Sequence, residues 1–367
     1  MPADDAFDAT LSADALDELE ARGPILPPGA VLAERYEVLE LLGQGAMGEV
    51  YRVHDRDLDE PVALKRLRHA SGEHAVERFL AEVKLSRRVT HRHVARTFDV
   101  GVHEGRPFLT MELLEGQSLS DLIEDSPPDP ELALDLALQV LEGLAFAHRS
   151  GVLHRDLKTE NVFVARDAAG RPVAKLLDFG LVKFVDDERW GSSKKLTVQG
   201  SVFGTPAYMA PEQCAGAPVD TRGDVYSAGV ILFELFTGIW PFMEESRIAM
   251  FQAHLTKPPP RIGDVYEGEL VFRNQLEEVV QKALAKMADQ RFQNADEMLA
   301  ALKAVPRPVA QLPSGAQRIS ASGPQLAPAA APMEVAPKNR QSQLVLMAVA
   351  VAIVVIAAAV AVFVVMM

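Results

Sequence analysis

The sequence predicts an α+β protein, with strands in the first third of the chain and helices after them. Residues 36–53 alternate apolar and polar side chains, as half-buried strands do, and a shorter strand pattern covers Val62–Lys65. From Asp220 to Phe236 a capping residue precedes a long apolar run, which is the pattern of a buried helix. Strands followed by helices are typical of the α+β class.

Length and composition limit the class of protein. The chain has 367 residues, of which 48% are hydrophobic, and a net charge of −14. It is long enough for a domain of about 250 to 280 residues with appendages. The acidic balance argues against non-specific nucleic-acid binding; it favours basic substrates or simply keeps the surface soluble. The single cysteine, Cys214, excludes a disulfide framework and agrees with a reducing compartment.

The first two predicted strands enclose a glycine-rich turn. Gly43, Gly45 and Gly48 interrupt the alternation, and residues 49–53 then continue as a strand. A dinucleotide-binding turn has the same spacing but needs a helix directly after the glycines. The continuing strand favours a hairpin, in which glycines let backbone amides approach phosphate oxygens closely.

Two further segments carry the chemistry: HRDLKTEN at residues 154–161, and Asp178 with the Phe and Gly that follow it. Together they resemble the catalytic and metal-binding loops of the eukaryotic-like (Hanks-type) protein kinase family. Phosphoryl transfer from ATP needs a carboxylate that orients the hydroxyl and metal ions that neutralise phosphate charge. The resemblance implies that Asp156 is the carboxylate. It also implies that Asn161 and Asp178 bind Mg²⁺, which prefers oxygen ligands, with Mn²⁺ as an alternative.

The strand Val62–Lys65 has the form of the family strand whose lysine contacts the α- and β-phosphates of ATP. The helical stretch over 73–89 offers Glu82 as the partner of Lys65, because a buried lysine needs a nearby negative charge. Glu73 and Glu77 lie on the same helix but fit the family's register less well. Alone, Lys65 would be interpreted as an edge-strand lysine in solvent.

Residues 111–114 resemble the hinge between two lobes, where backbone groups bind the adenine edge. Val50, Ala63 and Phe163 would then enclose the ring, although core packing explains Phe163 equally well. The ATP-binding residues expected from the resemblance are Leu42, Gly43, Gln44, Gly45, Ala46, Met47, Gly48, Val50, Ala63, Lys65, Glu82, Met111, Glu112, Leu114 and Phe163.

The polar segment between Asp178 and Glu212 is too long for an ordinary connection and resembles an activation loop. It closes with GTPAYMAPE at residues 204–212, similar to the serine/threonine kinases rather than the tyrosine kinases. Lys158 is the second expected catalytic residue. In that subclass its ammonium bridges the transferred phosphate and Thr205.

Arg155 precedes the catalytic aspartate, and in kinases with this arrangement the arginine pairs with phosphate on the activation loop. Thr197 is the first candidate phosphosite and Ser201 the second, with Ser192 and Ser193 behind them. The alternative is that these are ordinary exposed loop hydroxyls.

Four further residues are expected to be structural: Asp224, Glu212, Arg291 and His154. Asp224 would hold the backbone of the 154–156 loop, and Arg291 would be the buried partner of Glu212. The family's usual proline before this arginine is absent, with Ala288 at that position, so this match is looser. His154 is expected to pack near Phe179 and not to act as a base.

The resemblance spans residues 36 to about 303 and implies a small β-rich lobe, of five antiparallel strands and one main helix, and a large helical lobe. We divide the chain into an acidic disordered arm (1–29), a kinase domain (30–305, with lobes 36–114 and 115–305), a Pro/Ala/Ser-rich linker (306–343) and a transmembrane helix (344–367).

Residues 344–367 carry no charge and are long enough to span a bilayer. A core helix is the alternative, but the linker separates this segment from any core. Lys338 and Arg340 precede it, so the positive-inside tendency predicts a single-pass protein of the cell (inner) membrane. The kinase domain would be cytoplasmic and the C-terminus at the far face. Small residues give weak support for a homodimer through this segment.

The sequence therefore predicts a membrane-anchored bacterial serine/threonine kinase that uses ATP and Mg²⁺. Its expected partners are protein substrates, itself through autophosphorylation, and the lipid bilayer, with no nucleic acid. A pseudokinase that only binds partners would be expected to lack Lys65, Asp156 or Asp178, and all three are present. A nucleotide-dependent oxidoreductase would need a helix after Gly48.

Overall fold

A computed structural model of the chain describes residues 25–45, 48–67, 77, 80, 83, 87, 89–179, 206–266 and 273–307. These residues all belong to the first of the chain's two units, Met1–Val309. The acidic arm up to residue 24, most of the predicted linker and the apolar segment at 344–367 lie outside the described residues.

The small lobe is built on an antiparallel sheet of six strands in the order β1-β2-β3-β4-β6-β5. The predicted hairpin is present as β2 and β3, and one strand more than the expected five, β1, pairs with β2. The strands are β1 (Val31–Leu32), β2 (Tyr36–Gly45), β3 (Gly48–Asp55), β4 (Glu60–Leu67), β5 (Thr97–His103) and β6 (Arg106–Met111).

The two faces of this sheet pack separately, because side chains alternate along a strand. Tyr51 and Leu64 belong to a buried cluster on one face, and Ala63 and Leu109 to a cluster on the other. Lys65 is two positions from Ala63 and therefore shares its face. This is the face to which Val83, from the predicted helix over 73–89, contributes.

Residues 25–29 contact the sheet, although the sequence places them in the N-terminal arm. The Leu26 amide donates to the Tyr51 hydroxyl at 3.1 Å, and the Gly29 amide donates to the Val38 carbonyl at 2.8 Å. These bonds hold the segment that precedes β1 against strands β2 and β3.

The large lobe is mainly helical, with one small antiparallel sheet in the order β7-β8-β9 beside the hinge. Its strands are β7 (Gly116–Ser118), β8 (Val162–Arg166) and β9 (Pro172–Leu176). Its helices are α1 (Leu119–Asp125), α2 (Pro130–Arg149), α3 (Pro211–Cys214), α4 (Thr221–Thr237), α5 (Arg247–Thr256), α6 (Ile262–Val265), α7 (Arg273–Ala283) and α8 (Ala295–Lys303).

Helices α2 and α4 form the core of the large lobe, and their ends follow capping rules. Asp129 caps α2 with Pro130 at the first helical position, and Asp220 caps α4 by accepting from the Arg222 amide. Helix α4 ends at Gly238, whose φ of 74° is the left-handed conformation that glycine adopts without strain. The capped, buried helix predicted from Asp220 is thus confirmed.

The structure confirms the two-lobed fold, with a β-sheet lobe followed by a helical lobe. Among the helices in the described ranges, none combines the length and apolarity needed to cross a bilayer.

Candidate active site

The glycine-rich hairpin is formed by the last residues of β2 and the first residues of β3. Gly45 pairs with Gly48 across the turn, and Ala46 and Met47 lie outside the described residues. Leu42, Gly43 and Gln44 are on β2 beside this turn.

The three glycines differ in the space that a side chain would find. A Cβ on Gly48, which has a φ of 146°, would lie 2.0 Å from the carbonyl oxygen of Arg66, so this glycine is required by packing against β4. A Cβ on Gly43 or Gly45 would meet no atom within 4 Å. The open space expected for an approaching phosphate is therefore at Gly43 and Gly45.

Lys65 of β4 reaches across the cleft to the segment after β9. Its ammonium contacts a carboxylate oxygen of Asp178 at 2.5 Å, and the two side chains are 8% and 17% exposed. The predicted partner Glu82 lies outside the described residues. The cation that the family places on ATP phosphates thus lies beside the carboxylate expected to bind metal.

Asp156 is held by its two predicted neighbours on the loop between α2 and β8. The Asn161 amide nitrogen donates to the Asp156 carbonyl at 2.7 Å and to its carboxylate at 3.0 Å. The Lys158 ammonium lies 3.3 Å from the same carboxylate. The spacing of these residues in the sequence therefore brings an amide, an ammonium and a carboxylate together.

Asp178 is adjacent to this loop through the backbone. The Leu177 amide donates to the Asn161 carbonyl at 2.9 Å, and Val162 pairs with Leu176 at the next position of the sheet. Both expected metal-binding side chains thus come from neighbouring ends of β8 and β9.

Asp224 of α4 anchors the backbone that precedes Asp156. Its carboxylate accepts from the His154 amide at 2.8 Å, from the Arg155 amide at 2.7 Å and from the His148 ring at 2.9 Å. Burial acts to raise the pKa of Asp224, but the His148 hydrogen bond and the His154 amide hold it below its usual range. Arg155 has a φ of 66°, a left-handed conformation that this anchor maintains.

His154 is part of the core, as expected, and packs against Phe179 with ring centroids 4.6 Å apart. Burial lowers the pKa of this imidazole, which disfavours the charged form. His154 therefore supports the loop and contributes no general base.

The predicted adenine-binding residues lie around the hinge that follows β6. Met111 pairs with Ala63 across the sheet, Val50 is opposite Lys65, and Phe163 lies half-buried on β8. Leu114 follows in the segment before β7, and it is partly exposed.

The Glu112 side chain has a task that the sequence did not predict. Its carboxylate contacts the Lys175 ammonium of β9 and accepts from the Arg96 amide at 3.2 Å. The Glu112 amide in turn donates to the Arg96 carbonyl at 2.9 Å. The Glu112 side chain therefore joins the hinge to β9 of the large lobe.

Glu212 and Arg291 form the buried pair that the sequence predicted. Both terminal guanidinium nitrogens of Arg291 donate to the Glu212 carboxylate at 2.8 Å, and the Arg291 side chain is fully buried. Its remaining donors bind the carbonyls of Ala285, Lys286 and Arg222. The replacement of proline by Ala288 does not disturb this arrangement.

The donor atoms fit a hard divalent cation. Both N–H groups of the Asn161 side-chain amide donate to Asp156, so the side-chain oxygen Oδ1 of Asn161 can serve as a metal ligand, and Asp178 supplies carboxylate oxygens. No three His, Cys, Asp or Glu side chains converge on a metal position in the described part of the chain. Mg²⁺ does not need such a cluster, because phosphates and water complete its coordination.

Sequence reasoning missed a buried polar group below the catalytic loop, formed by Thr159, Tyr208, Glu234 and Trp240. The only signal available was a glutamate within the apolar run of α4. Its partners come from distant parts of the chain. The predicted phosphosites Thr197 and Ser201, and the predicted Lys158 partner Thr205, lie outside the described residues.

The chain is similar to known proteins over most of its length. A family model described as the protein kinase domain matches residues 36–301. The chain is 36% identical over 305 residues to the serine/threonine-protein kinase pkn3 of Myxococcus xanthus, covering 82% of this chain and 55% of pkn3. It is 37% identical over 291 residues to the serine/threonine-protein kinase PknL of Mycobacterium tuberculosis, covering 78% of this chain and 69% of PknL.

The chain is also similar to solved structures of kinase domains. The PknI kinase domain of Mycobacterium tuberculosis superposes with a TM-score of 0.58 at 28% identity, covering 76% of this chain and 99% of that domain. The chain spans about half the length of pkn3 and about a third of the Myxococcus xanthus kinase pkn2.

Proposed function

Because the chain belongs to the protein kinase family, in its bacterial Hanks-type branch, we propose that it is a serine/threonine protein kinase. It would transfer the γ-phosphoryl group of ATP to protein Ser or Thr hydroxyls. The observation that carries this proposal is the meeting of Asp156, Lys158 and Asn161 in one loop next to the Lys65–Asp178 pair.

In this mechanism each residue has one task. The Asp156 carboxylate orients the substrate hydroxyl and accepts its proton, while Lys158 compensates charge on the transferred phosphoryl group. Lys65 binds the α- and β-phosphates. Asn161 and Asp178 would hold Mg²⁺ or Mn²⁺, and the bound metal would neutralise charge on the phosphate oxygens.

The test compares full-length protein incubated with Mg²⁺, a generic basic protein and ATP labelled at either the γ- or the α-phosphate. We expect label from the γ-position alone, on serine and threonine after acid hydrolysis. Label confined to tyrosine, or ATP binding without transfer, would support a different specificity or a pseudokinase.

The activation segment is the second part of the proposal. Arg155 is positioned by Asp224 and by the Gln213 side chain, which donates to its carbonyl at 2.9 Å. We propose that phosphorylated Thr197, or Ser201 after it, pairs with Arg155 and orders the substrate side of the site. Mass spectrometry after incubation with ATP and Mg²⁺ tests this, and the absence of phosphate between residues 178 and 212 would reject it.

The membrane anchor is the third part. The uncharged apolar run at 344–367, preceded by Lys338 and Arg340, supports a single span of the cell membrane with the kinase domain cytoplasmic. Flotation of the full chain with lipid vesicles, compared with a chain ending at residue 343, tests the span. Crosslinking in the same vesicles tests the homodimer; equal flotation of both chains would contradict the anchor.

A further inference from the structure

A chain of hydrogen bonds runs from the catalytic loop to helix α4. The Thr159 hydroxyl lies 2.7 Å from the Tyr208 hydroxyl, which donates to the Glu234 carboxylate at 2.6 Å. The Trp240 indole N–H is shared between the Tyr208 oxygen at 3.0 Å and the second Glu234 oxygen at 3.1 Å. Four residues from four segments of the lobe thus share one polar cluster.

Burial makes these contacts strong and their loss costly. Thr159, Tyr208 and Glu234 are 0%, 4% and 6% exposed. A buried polar group without a partner costs more free energy than the net value of the hydrogen bond it forms. Each polar group of this cluster is therefore held in place by its hydrogen bonds to the others.

Thr159 links the cluster to the reacting groups. It directly follows Lys158 in sequence and begins the short helix that ends at Asn161. Lys158 and Asn161 both contact the Asp156 carboxylate. A shift of Thr159 is thus transmitted to both contacts.

The hydrogen bonds of the cluster are all satisfied only when Glu234 is ionised. With Glu234 ionised, Tyr208 donates to the carboxylate, and its two lone pairs accept from Thr159 and Trp240. Every donor then has an acceptor. With Glu234 protonated on the oxygen that faces Tyr208, two O–H groups meet across 2.6 Å, so one of them must rotate and displace another donor.

Resting on the proposed kinase activity, we propose that Thr159, Tyr208 and Glu234 are positioning residues for phosphoryl transfer. The hydrogen-bond chain holds the catalytic loop in its working geometry when Glu234 is ionised and loosens it when Glu234 is protonated. The consequence is a kinase whose turnover depends on the protonation of a carboxylate on helix α4.

The surroundings of Glu234 bring its pKa close to neutral pH. Burial raises its pKa to about 7, opposed by the hydrogen bonds from Tyr208 and Trp240 and assisted by the negative charge of Glu160. Tyr208 and Glu160 are the titratable groups that face it, and burial raises the pKa of Tyr208 so that it stays neutral.

The experiment uses the full chain and four substitutions. Thr159→Val removes the hydroxyl at nearly constant shape, and Thr159→Ser restores it. Glu234→Gln keeps the shape and removes the titration. Thr237→Val is the matched control, because it removes another threonine hydroxyl, one that donates to the Phe233 carbonyl of α4 and not to the cluster.

We expect Thr159→Val to lower kcat roughly three- to tenfold, which is the worth of one hydrogen bond, with KM for ATP changed less than about twofold. Thr159→Ser and Thr237→Val should stay within about twofold of wild type. The kcat of wild type should fall as the pH decreases through about 7, and Glu234→Gln should lack that pH-dependent step.

The inference is overturned if Thr159→Val keeps the wild-type kcat, or if Glu234→Gln and wild type have superimposable pH profiles. If Thr159→Val does not fold, the pH comparison with Glu234→Gln decides alone. A wild-type chain without transferase activity would reject the proposed function instead, so the two failures are distinguishable.

Discussion

The Lys65 ammonium lies 2.5 Å from a carboxylate oxygen of Asp178, although the two residues are 113 positions apart in the chain. This contact joins the sheet of the small lobe to the end of β9 in the large lobe. It places a cation for phosphates and a carboxylate for metal at the same point of the cleft, which is the arrangement that phosphoryl transfer requires.

Replacing Lys65 by Met should therefore lower kcat/KM for ATP by about a hundredfold or more, because a charge that stabilises the transition state is lost. Thermal unfolding, followed by circular dichroism, should show that the fold remains. The control is Lys257→Met, which removes a 58% exposed lysine paired with Glu244. Equal steady-state rates for Lys65→Met and wild type would contradict the role of Lys65.

Gly48 and Gly43 should respond differently to an added methyl group. Gly48→Ala brings a Cβ against the Arg66 carbonyl in a left-handed backbone conformation, so the free energy of unfolding should fall by about 2 to 4 kcal/mol. Gly43→Ala meets open space and should change stability by less than about 1 kcal/mol, while weakening ATP binding. Chemical denaturation and nucleotide titration separate the two effects; equal stability losses would contradict the packing argument.

The Glu212–Arg291 pair should make a large contribution to the free energy of unfolding. Glu212→Gln leaves the fully buried Arg291 without its charge partner, which should cost about 3 to 5 kcal/mol in urea denaturation. Arg222→Met is the matched control, because its partner Asp220 is 54% exposed and such pairs contribute less than about 1 kcal/mol. A smaller loss for Glu212→Gln than for Arg222→Met would refute this assignment.

The raised pKa of Glu234 has a stability consequence that is opposite in sign to its effect on turnover. Burial raises this pKa from 4.5 to about 7, so between these values the folded state holds a proton that the unfolded state has released. Stability from this site is therefore complete below pH 4.5 and is lost as the pH rises to about 7.

Glu234→Gln should lack that loss, which amounts to at most about 3 to 4 kcal/mol for a shift from 4.5 to about 7, at about 1.4 kcal/mol per pKa unit. The measurement is the difference in unfolding free energy between wild type and variant across this range. A difference that is constant with pH would show that Glu234 has an ordinary pKa.

Local sequence patterns predicted the elements that depend on neighbours in the chain. The hairpin around Gly45 and the capped helix after Asp220 follow from spacing and residue type, and the loop that holds Asp156 was predicted from its family resemblance. The Glu212–Arg291 pair was also predicted, from the family resemblance.

Contacts between distant residues that no local pattern marks were not predicted. The carboxylate of Glu112 turns to Lys175, and Glu234 finds Tyr208 and Trp240 only after the helices have packed. The packing role of Gly48 also depends on β4 lying against β3. Such contacts are set by tertiary structure, so a sequence pattern shows the residue but not its partner.

The most direct test of the central claim is a single-turnover measurement of γ-phosphoryl transfer by Asp156→Asn. The control is Asp167→Asn, in an exposed turn paired with Arg171. Asp156→Asn should retain ATP binding and transfer about a hundred- to ten-thousandfold more slowly, because the proton acceptor is lost; Asp167→Asn should match wild type. Transfer by Asp156→Asn at the wild-type rate would contradict the account.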